Sequence, residues 1–139
     1  MATKIRDIMT GSPTSVSPEL DIVTVARAMR DEDIGAVLVA EGDELRGLVT
    51  DRDLVVRGLA ADGDPRQAKI GGITSSVTAT IGPDDSPQKA AQIMRERSVR
   101  RLPVLEDGRP VGIVSIGDLA VEEDSGSALA DISAARPNR

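Results

Sequence analysis

The chain has 139 residues, 40% of them apolar and 29% charged, with a net charge of −6 and no Cys, His, Phe, Tyr or Trp. This length suits one compact domain, and the balance suits a folded chain, not a disordered one. The absences exclude disulfides, thiolate and imidazole catalysis and the common zinc and haem sites, while the acidic charge and the lack of rings for base stacking argue against a nucleic-acid partner.

Residues 1–11 hold no apolar run of the kind a secretory signal needs, and no stretch approaches the roughly 18 apolar residues of a membrane span. The expected compartment is therefore the cytoplasm, without membrane association. From Lys4 onward the chain repeats itself. When Lys4 is laid against Lys69 and the register is kept without a gap, identities recur at Ile5/Ile70, Ile8/Ile73, Pro18/Pro83, Ala26/Ala91, Met29/Met94, Val39/Val104, Gly47/Gly112, Val49/Val114, Asp53/Asp118 and Leu54/Leu119. Such self-similarity marks a duplicated supersecondary unit.

Each copy opens with a short helical turn, around Ile5 to Met9 or Ile70 to Thr74, and an extended stretch near Val16 or Ile81. A helix follows. Asp21 is a candidate N-cap for a stripe of Ile22, Val25, Ala26 and Met29, while Ser86 caps a helix with Pro87 at its first position and Ala90, Ala91 and Met94 along one face. Next comes a hairpin: Ala36 to Ala40 with Arg46 to Val49, across Glu41-Gly42-Asp43-Glu44, and Leu102 to Leu105 with Val111 to Val114, across a loop holding Asp107-Gly108. A second helix starts at Thr50 or Ser115. Between the copies, Asp62-Gly63-Asp64-Pro65 predicts a turn and a fresh helix start. The expected fold is mixed α/β (α+β), two pseudo-symmetric β-α-β-β-α repeats packed sheet to sheet, with repeat one at 1–62, repeat two at 63–123 and a polar tail at 124–139. In that tail Leu129 and Ile132 suit a short docking helix, and a frayed end suits the composition equally.

At the end of each hairpin stands one pattern, Gly47-Leu48-Val49-Thr50-Asp51-Arg52-Asp53 and Gly112-Ile113-Val114-Ser115-Ile116-Gly117-Asp118. A strand runs into a helix N-terminus that carries a hydroxyl and, three residues on, a carboxylate. Free N–H groups and a hydroxyl there can hold phosphate oxygens, and the carboxylate can accept from the hydroxyls of a ribose. The same pair is also an ordinary helix cap, and the two roles are compatible. The acidic runs Asp31-Glu32-Asp33 and Glu122-Glu123-Asp124 read as solvated helix ends, so no metal site is expected.

The duplicated Gly-x-x-(Thr/Ser)-x-x-Asp, the opening Ile5-Arg6-Asp7-Ile8-Met9-Thr10 and the run Val99-Arg100-Arg101-Leu102-Pro103-Val104 together resemble a tandem pair of cystathionine-β-synthase (CBS) repeats, a Bateman module, over residues from about 3 to 122. The resemblance is to small bacterial proteins built of one such pair with no attached enzyme. It implies a phosphate-side hydroxyl at Thr50 and Ser115 and a ribose-binding carboxylate at Asp53 and Asp118. It also implies an adenine slot lined near Thr14 and Val16, or Ala79 and Ile81, and by Ala36-Val37 or Leu102-Pro103. Arg100 and Arg101 occupy positions that reach ligand phosphates in the family, where copy one has Gly35 and Ala36. An arginine fork suits phosphate, although adjacent arginines in an acidic protein also serve as surface ion-pair partners. Asp51 sets a negative charge beside the first motif only.

Two functions stay open on these grounds. One is a regulatory module that binds AMP, ADP, ATP or, less readily, S-adenosylmethionine or an NAD-type ligand between its repeats and signals to a protein partner. The other is an interaction protein that keeps the fold and has lost the ligand. An enzyme is disfavoured, since without His or Cys the usual nucleophile–base pairs are missing and a Ser-Lys or carboxylate pair has no recognisable context here. The resemblance further implies a homodimer formed through the helices, with Leu54, Val55 and Leu119 as apolar residues that one small core does not fully cover.

Overall fold

The computed structural model describes residues 3–77 and 79–123, so the tail reading, with Leu129 and Ile132, lies outside the described residues. In chain order the elements are α1 (Ile5–Ile8), β1 (Thr10–Gly11), β2 (Ser15–Val16), α2 (Ile22–Glu32), β3 (Ala36–Glu41), β4 (Glu44–Thr50), α3 (Asp51–Asp53) running into a π-helical stretch (Leu54–Leu59), a 3₁₀ turn (Ile70–Gly72), α4 (Pro87–Arg97), β5 (Arg101–Glu106), β6 (Arg109–Ser115) and α5 (Ile116–Glu123). The order of elements within each copy is the one the repeat predicts, except that β1 is an addition in copy one and that copy two has only an isolated parallel bridge, Ile81 with Val104, where copy one has β2.

Local chemistry accounts for the boundaries. Asp21 caps α2 by accepting from the Thr24 N–H at 2.8 Å, a bond that, with the Thr24 hydroxyl, holds its carboxyl below the usual aspartate range. Ser86 caps α4 by accepting from the Lys89 N–H at 3.1 Å, and Pro87 fills the first helical position, where no N–H is needed. The hairpins close more tightly than the sequence suggests. β3 and β4 extend to Glu41 and Glu44, and β5 and β6 to Glu106 and Arg109, leaving two-residue turns. Asp107 and Gly108 sit at φ 52° and 79°, the double left-handed conformation of a type I′ turn. The segment after Asp62 forms only a turn closed by the Gln67 N–H on the Asp64 carbonyl, because Lys69 is already extended and paired with Asp21. No α-helix starts there; the next element is the 3₁₀ turn at Ile70.

The compact units do not follow the repeats as they are written in sequence. Thr14–Val77 form one unit, and residues 3–13 join 79–123 in the other. Each repeat's opening segment is thus built into the core of the other repeat. In the first unit β2 lies parallel to β3, which pairs antiparallel with β4. Val25, Val37, Val39 and Val49 are fully buried there together with Ile70, which comes from the opening of copy two. In the second unit β1 and β5 both pair antiparallel with β6, and Leu102, Val104 and Val114 enclose Ile5, from the opening of copy one.

The two exchanges use the same bonds. The Ile5 N–H donates to the Asp85 carbonyl at 2.9 Å and that of Arg6 to Pro83 at 2.9 Å, as Ile70 donates to Leu20 at 2.7 Å and Gly71 to Pro18 at 3.0 Å. Lys4 faces Asp84 as Lys69 faces Glu19. Arg6 adds bonds to Asp84 at 3.0 Å and Glu106 at 3.1 Å, which hold its own pKa above, and that of Asp84 below, the ordinary value. These pairs are exposed, so they orient the segment more than they stabilise it.

Two glycines admit the exchanged segments. A Cβ on Gly47 would meet the Thr74 methyl and lie 2.5 Å from the Ser75 carbonyl oxygen, and one on Gly112 would lie 2.5 Å from the Met9 sulfur and 2.9 Å from the Thr10 carbonyl oxygen. Gly47→Ala and Gly112→Ala are expected to cost about 1–3 kcal/mol, the usual penalty for overpacking. Gly11→Ala, at a position with nothing within 4 Å, is expected to stay within about 0.5 kcal/mol of wild type. Melting followed by circular dichroism measures all three, and equal melting points would refute the close-approach account.

Candidate functional site

Each motif sits where the second hairpin strand turns into a helix, β4 at the edge of its sheet and β6 at the centre of its own. Register places Thr50 opposite Ala36 and Ser115 opposite Arg101. The first helical N–H of each junction is tied back to the preceding connection, Asp51 to the Gly35 carbonyl and Ile116 to that of Arg100, both at 2.9 Å. All four motif side chains, Thr50, Asp53, Ser115 and Asp118, are half-buried.

Both pairs form reciprocal caps. The Thr50 N–H donates to Asp53 Oδ2 at 2.9 Å and the Asp53 N–H to Thr50 Oγ1 at 3.2 Å; Ser115 and Asp118 repeat this at 2.8 and 3.2 Å. The copies differ in what remains free. In copy one the Thr50 hydroxyl also donates to Asp53 Oδ2 at 3.1 Å, and the Arg52 N–H donates to Asp51 Oδ1 at 2.8 Å. The hydroxyl proton and the second helical N–H are thereby consumed, with a carboxylate standing beside them. In copy two no described side chain takes the Ser115 hydroxyl proton or the Gly117 N–H, and Ile116 stands where copy one has Asp51. Gly117 was not singled out in sequence, and the signal for it was the Arg52/Gly117 difference between copies.

Arg101 is half-buried at the start of β5, and Arg100 is exposed just before it. Among the described residues neither forms an ion pair. The residues expected to line an adenine slot divide. Val37 and Leu102 are fully buried core side chains, Val16, Ile81 and Pro103 are buried, and Ala36, Thr14 and Ala79 are half-buried. The Thr14 hydroxyl donates to Glu32 at 2.7 Å, and the Thr14 carbonyl accepts from the Leu38 N–H at 2.9 Å. The Ile81 main chain bonds Pro103 and Leu105 in the corresponding place of the other unit.

The family model for the CBS domain matches residues 5–58 and 70–123, one match over each copy of the repeat. The chain belongs to the CBS domain family. CBS relatives of similar length include the CBS domain-containing protein YhcV of Bacillus subtilis, 36% identical over 135 residues, covering 94% of this chain and 96% of YhcV. Hypoxic response protein 1 of Mycobacterium tuberculosis is 39% identical over 119 residues, 85% of this chain and 83% of that protein. The crystal structure of that hypoxic response protein, with two coordinated zinc ions, superposes with a TM-score of 0.75 over 85% of this chain and 97% of that one. The CBS domain pair of protein MJ0100, solved with 5′-methylthioadenosine and S-adenosyl-L-methionine, superposes with a TM-score of 0.78 over 91% of this chain and 100% of that one; at 22% identity it shares the fold.

If Thr50 and Asp53 act as two halves of one cap, Thr50→Val and Asp53→Ala are each expected to cost about 1 kcal/mol, and the double variant little more than either alone. Additive losses in denaturant titrations would show that the two side chains act separately.

Proposed function

We propose that this CBS pair is a regulatory module that binds an adenine nucleotide, AMP, ADP or ATP, or a related adenosyl ligand, without catalysis, and that the Ser115–Asp118 junction takes the phosphate-bearing ligand. The observation that carries this is the asymmetry of two otherwise matching junctions. In copy two a hydroxyl proton and the Gly117 N–H have no described side chain as acceptor, and Arg100 and Arg101 lead into the strand opposite Ser115. These are donors suited to phosphate oxygens, and arginine adds a planar fork. Asp118 keeps its second carboxylate oxygen outside the cap, where it can accept from a ribose. At the Thr50–Asp53 junction the same donors are internally satisfied and Asp51 repels an anion. The adenine would lie against aliphatic side chains and main chain, since the protein has no rings to stack on it.

The absence of Cys and His from the whole chain supports a role without catalysis, and we place that role in the cytoplasm. The same absence bears on zinc. The donors that usually hold this metal, thiolate and imidazole, are missing, and among the described residues no group of three carboxylates converges. Among the described residues no helix is long and apolar enough to cross a membrane.

A second reading, an interaction protein without ligand, is favoured by one observation: both motifs already work as helix caps, so the pattern would persist without a ligand. Melting separates the two readings. A nucleotide at 100 times its Kd adds about 2.7 kcal/mol to the folded state, a rise of several degrees. No rise with AMP, ADP, ATP, NAD or S-adenosylmethionine would leave the interaction reading. By calorimetry Asp118→Ala is expected to weaken nucleotide binding by about tenfold or more, and Asp53→Ala by less. Equal losses, or a larger loss for Asp53→Ala, would reverse the assignment.

Self-association fits the unit formed by Thr14–Val77. Its π-helical stretch turns Val55, Val56 and Leu59 outward at 56%, 50% and 63% exposure, an apolar patch of the kind that marks an interface. We expect a homodimer through this patch, with the capacity to signal to a further protein. Sedimentation should show a dimer at micromolar concentration that Leu59→Asp converts to monomer; a monomeric wild type would overturn it.

A further inference from the structure

The two exchanged segments dock through matching main-chain bonds, but only one of them brings an arginine to the hairpin it meets. In register, Lys4-Ile5-Arg6-Asp7 aligns with Lys69-Ile70-Gly71-Gly72. The Arg6 guanidinium bridges two carboxylates, Asp84 at 3.0 Å and Glu106 at 3.1 Å. Their counterparts in the unit of Thr14–Val77 are Glu19 and Glu41, and Glu41 ends β3 as Glu106 ends β5. Gly71 stands where Arg6 would be, and its N–H donates to the Pro18 carbonyl as that of Arg6 does to Pro83. Both carboxylates are kept, and Gly71 has no side chain to join them.

In place of that side chain there is an open cleft of about 420 Å³, lined by Pro18, Glu41, Arg46, Gly71, Thr74 and Ser76. Arg46 approaches Glu41 from β4 at 3.4 Å and Glu44 at 3.6 Å, longer than the bonds Arg6 makes and longer than a well-formed charge-assisted hydrogen bond. Glu19 is paired with Lys69, as Asp84 is with Lys4. Three carboxylates, Glu19, Glu41 and Glu44, thus share the two cations Lys69 and Arg46, whereas Asp84 and Glu106 share Lys4 and Arg6. The first unit keeps the acceptors of a guanidinium, has room for one, and is one cation short.

We infer that this cleft receives an arginine side chain presented by another protein, seated where Arg6 lies in the second unit. A planar fork can serve two carboxylates at once, which the point charge of lysine does less well. Glu19 and Glu41 are both more than half exposed, and exposed pairs hold weakly, so a lone guanidinium binds in the millimolar range and the presenting protein's other contacts supply the rest. The cleft lies at the Glu41–Glu44 end of the hairpin and Thr50 at the opposite end, so the inference does not rest on nucleotide binding. NMR of the full chain titrated with N-acetyl-arginine amide should show saturable amide shifts at Glu41, Gly71 and Ser76, with several-fold weaker binding of N-acetyl-lysine amide. Gly71→Arg should remove them by supplying the chain's own guanidinium. Because a Cβ there lies 3.1 Å from Pro18, Glu41→Gln serves as the second variant and should weaken binding several-fold while any nucleotide-dependent rise in melting stays as in wild type. Arg6→Gly should open a second site, with new shifts at Asp84 and Glu106. No saturable shifts, equal binding of the two amides, full binding by Glu41→Gln, or no second site in Arg6→Gly would overturn the inference. Tighter binding of free arginine than of the blocked amide would overturn it too, by assigning the cleft to a small guanidino compound.

Discussion

Ile5 and Ile70 are each completely buried in a core whose strands and helices come from the other copy of the repeat. Much else follows from that exchange. The main chain passes from one unit to the other near residue 13 and again near residue 77, so neither unit's pairing with its opening segment is contained in one repeat. Removing Ile70 from the first core or Ile5 from the second would leave a cavity lined by valines and leucines, at a cost of several kcal/mol for a side chain of that size. Gly47 and Gly112 belong to the same constraint, because the exchanged main chain approaches each hairpin at just those positions. A fold of this kind makes the pair, and not the single repeat, the stable entity, as expected where each half buries too little surface alone.

Much of the fold is legible from residues whose local chemistry has one good solution. Asp21 and Ser86 cap where the apolar stripes begin, and Asp107-Gly108 turns a hairpin because few other pairs accept two left-handed residues. The exchange is not legible, and the reason is symmetry. Ile5 and Ile70 are identical, sit at matching positions, and find matching carbonyls in either copy, so the sequence offers no term that distinguishes packing on its own repeat from packing on the other. The π-helical stretch is likewise hidden. The Ala60 N–H reaches the Val55 carbonyl at 3.0 Å, and Gly58 is pressed against Ile22, where an added Cβ would lie 3.0 Å from a methyl; copy two has Glu123 in register with Gly58 and continues as α-helix. The glycine at this position and its packing against Ile22 distinguish the two.

The candidate site was legible as a pattern but not as an asymmetry. The spacing of Thr50 to Asp53 and of Ser115 to Asp118 already suggested both a cap and a binding junction, and the caps form in both copies. What spacing does not reveal is how many donors the cap consumes. That depends on whether the hydroxyl also donates to the carboxylate, as Thr50 does, and on whether a neighbouring side chain claims the next N–H, as Asp51 does for Arg52.

This difference in donor use gives a physical reason for a duplicated fold to divide its labour. A helix N-terminus has a fixed supply of unpaired N–H groups, and each one satisfied internally stabilises the chain while removing a point of attachment for an anion. Copy one, with Asp51 and Asp53 both turned onto its own N-terminus, leans toward stability; it is also the copy whose second helix departs from α geometry and so gains from a firm start. Copy two retains Gly117 and a hydroxyl without such partners among the described residues, and its second helix is α-helical over Ile116–Glu123. The junction whose donors are less consumed is also the one preceded in the hairpin by Arg100 and Arg101. On the proposed reading, stability and binding would draw on the same donors, and the duplication would let each copy favour one of them.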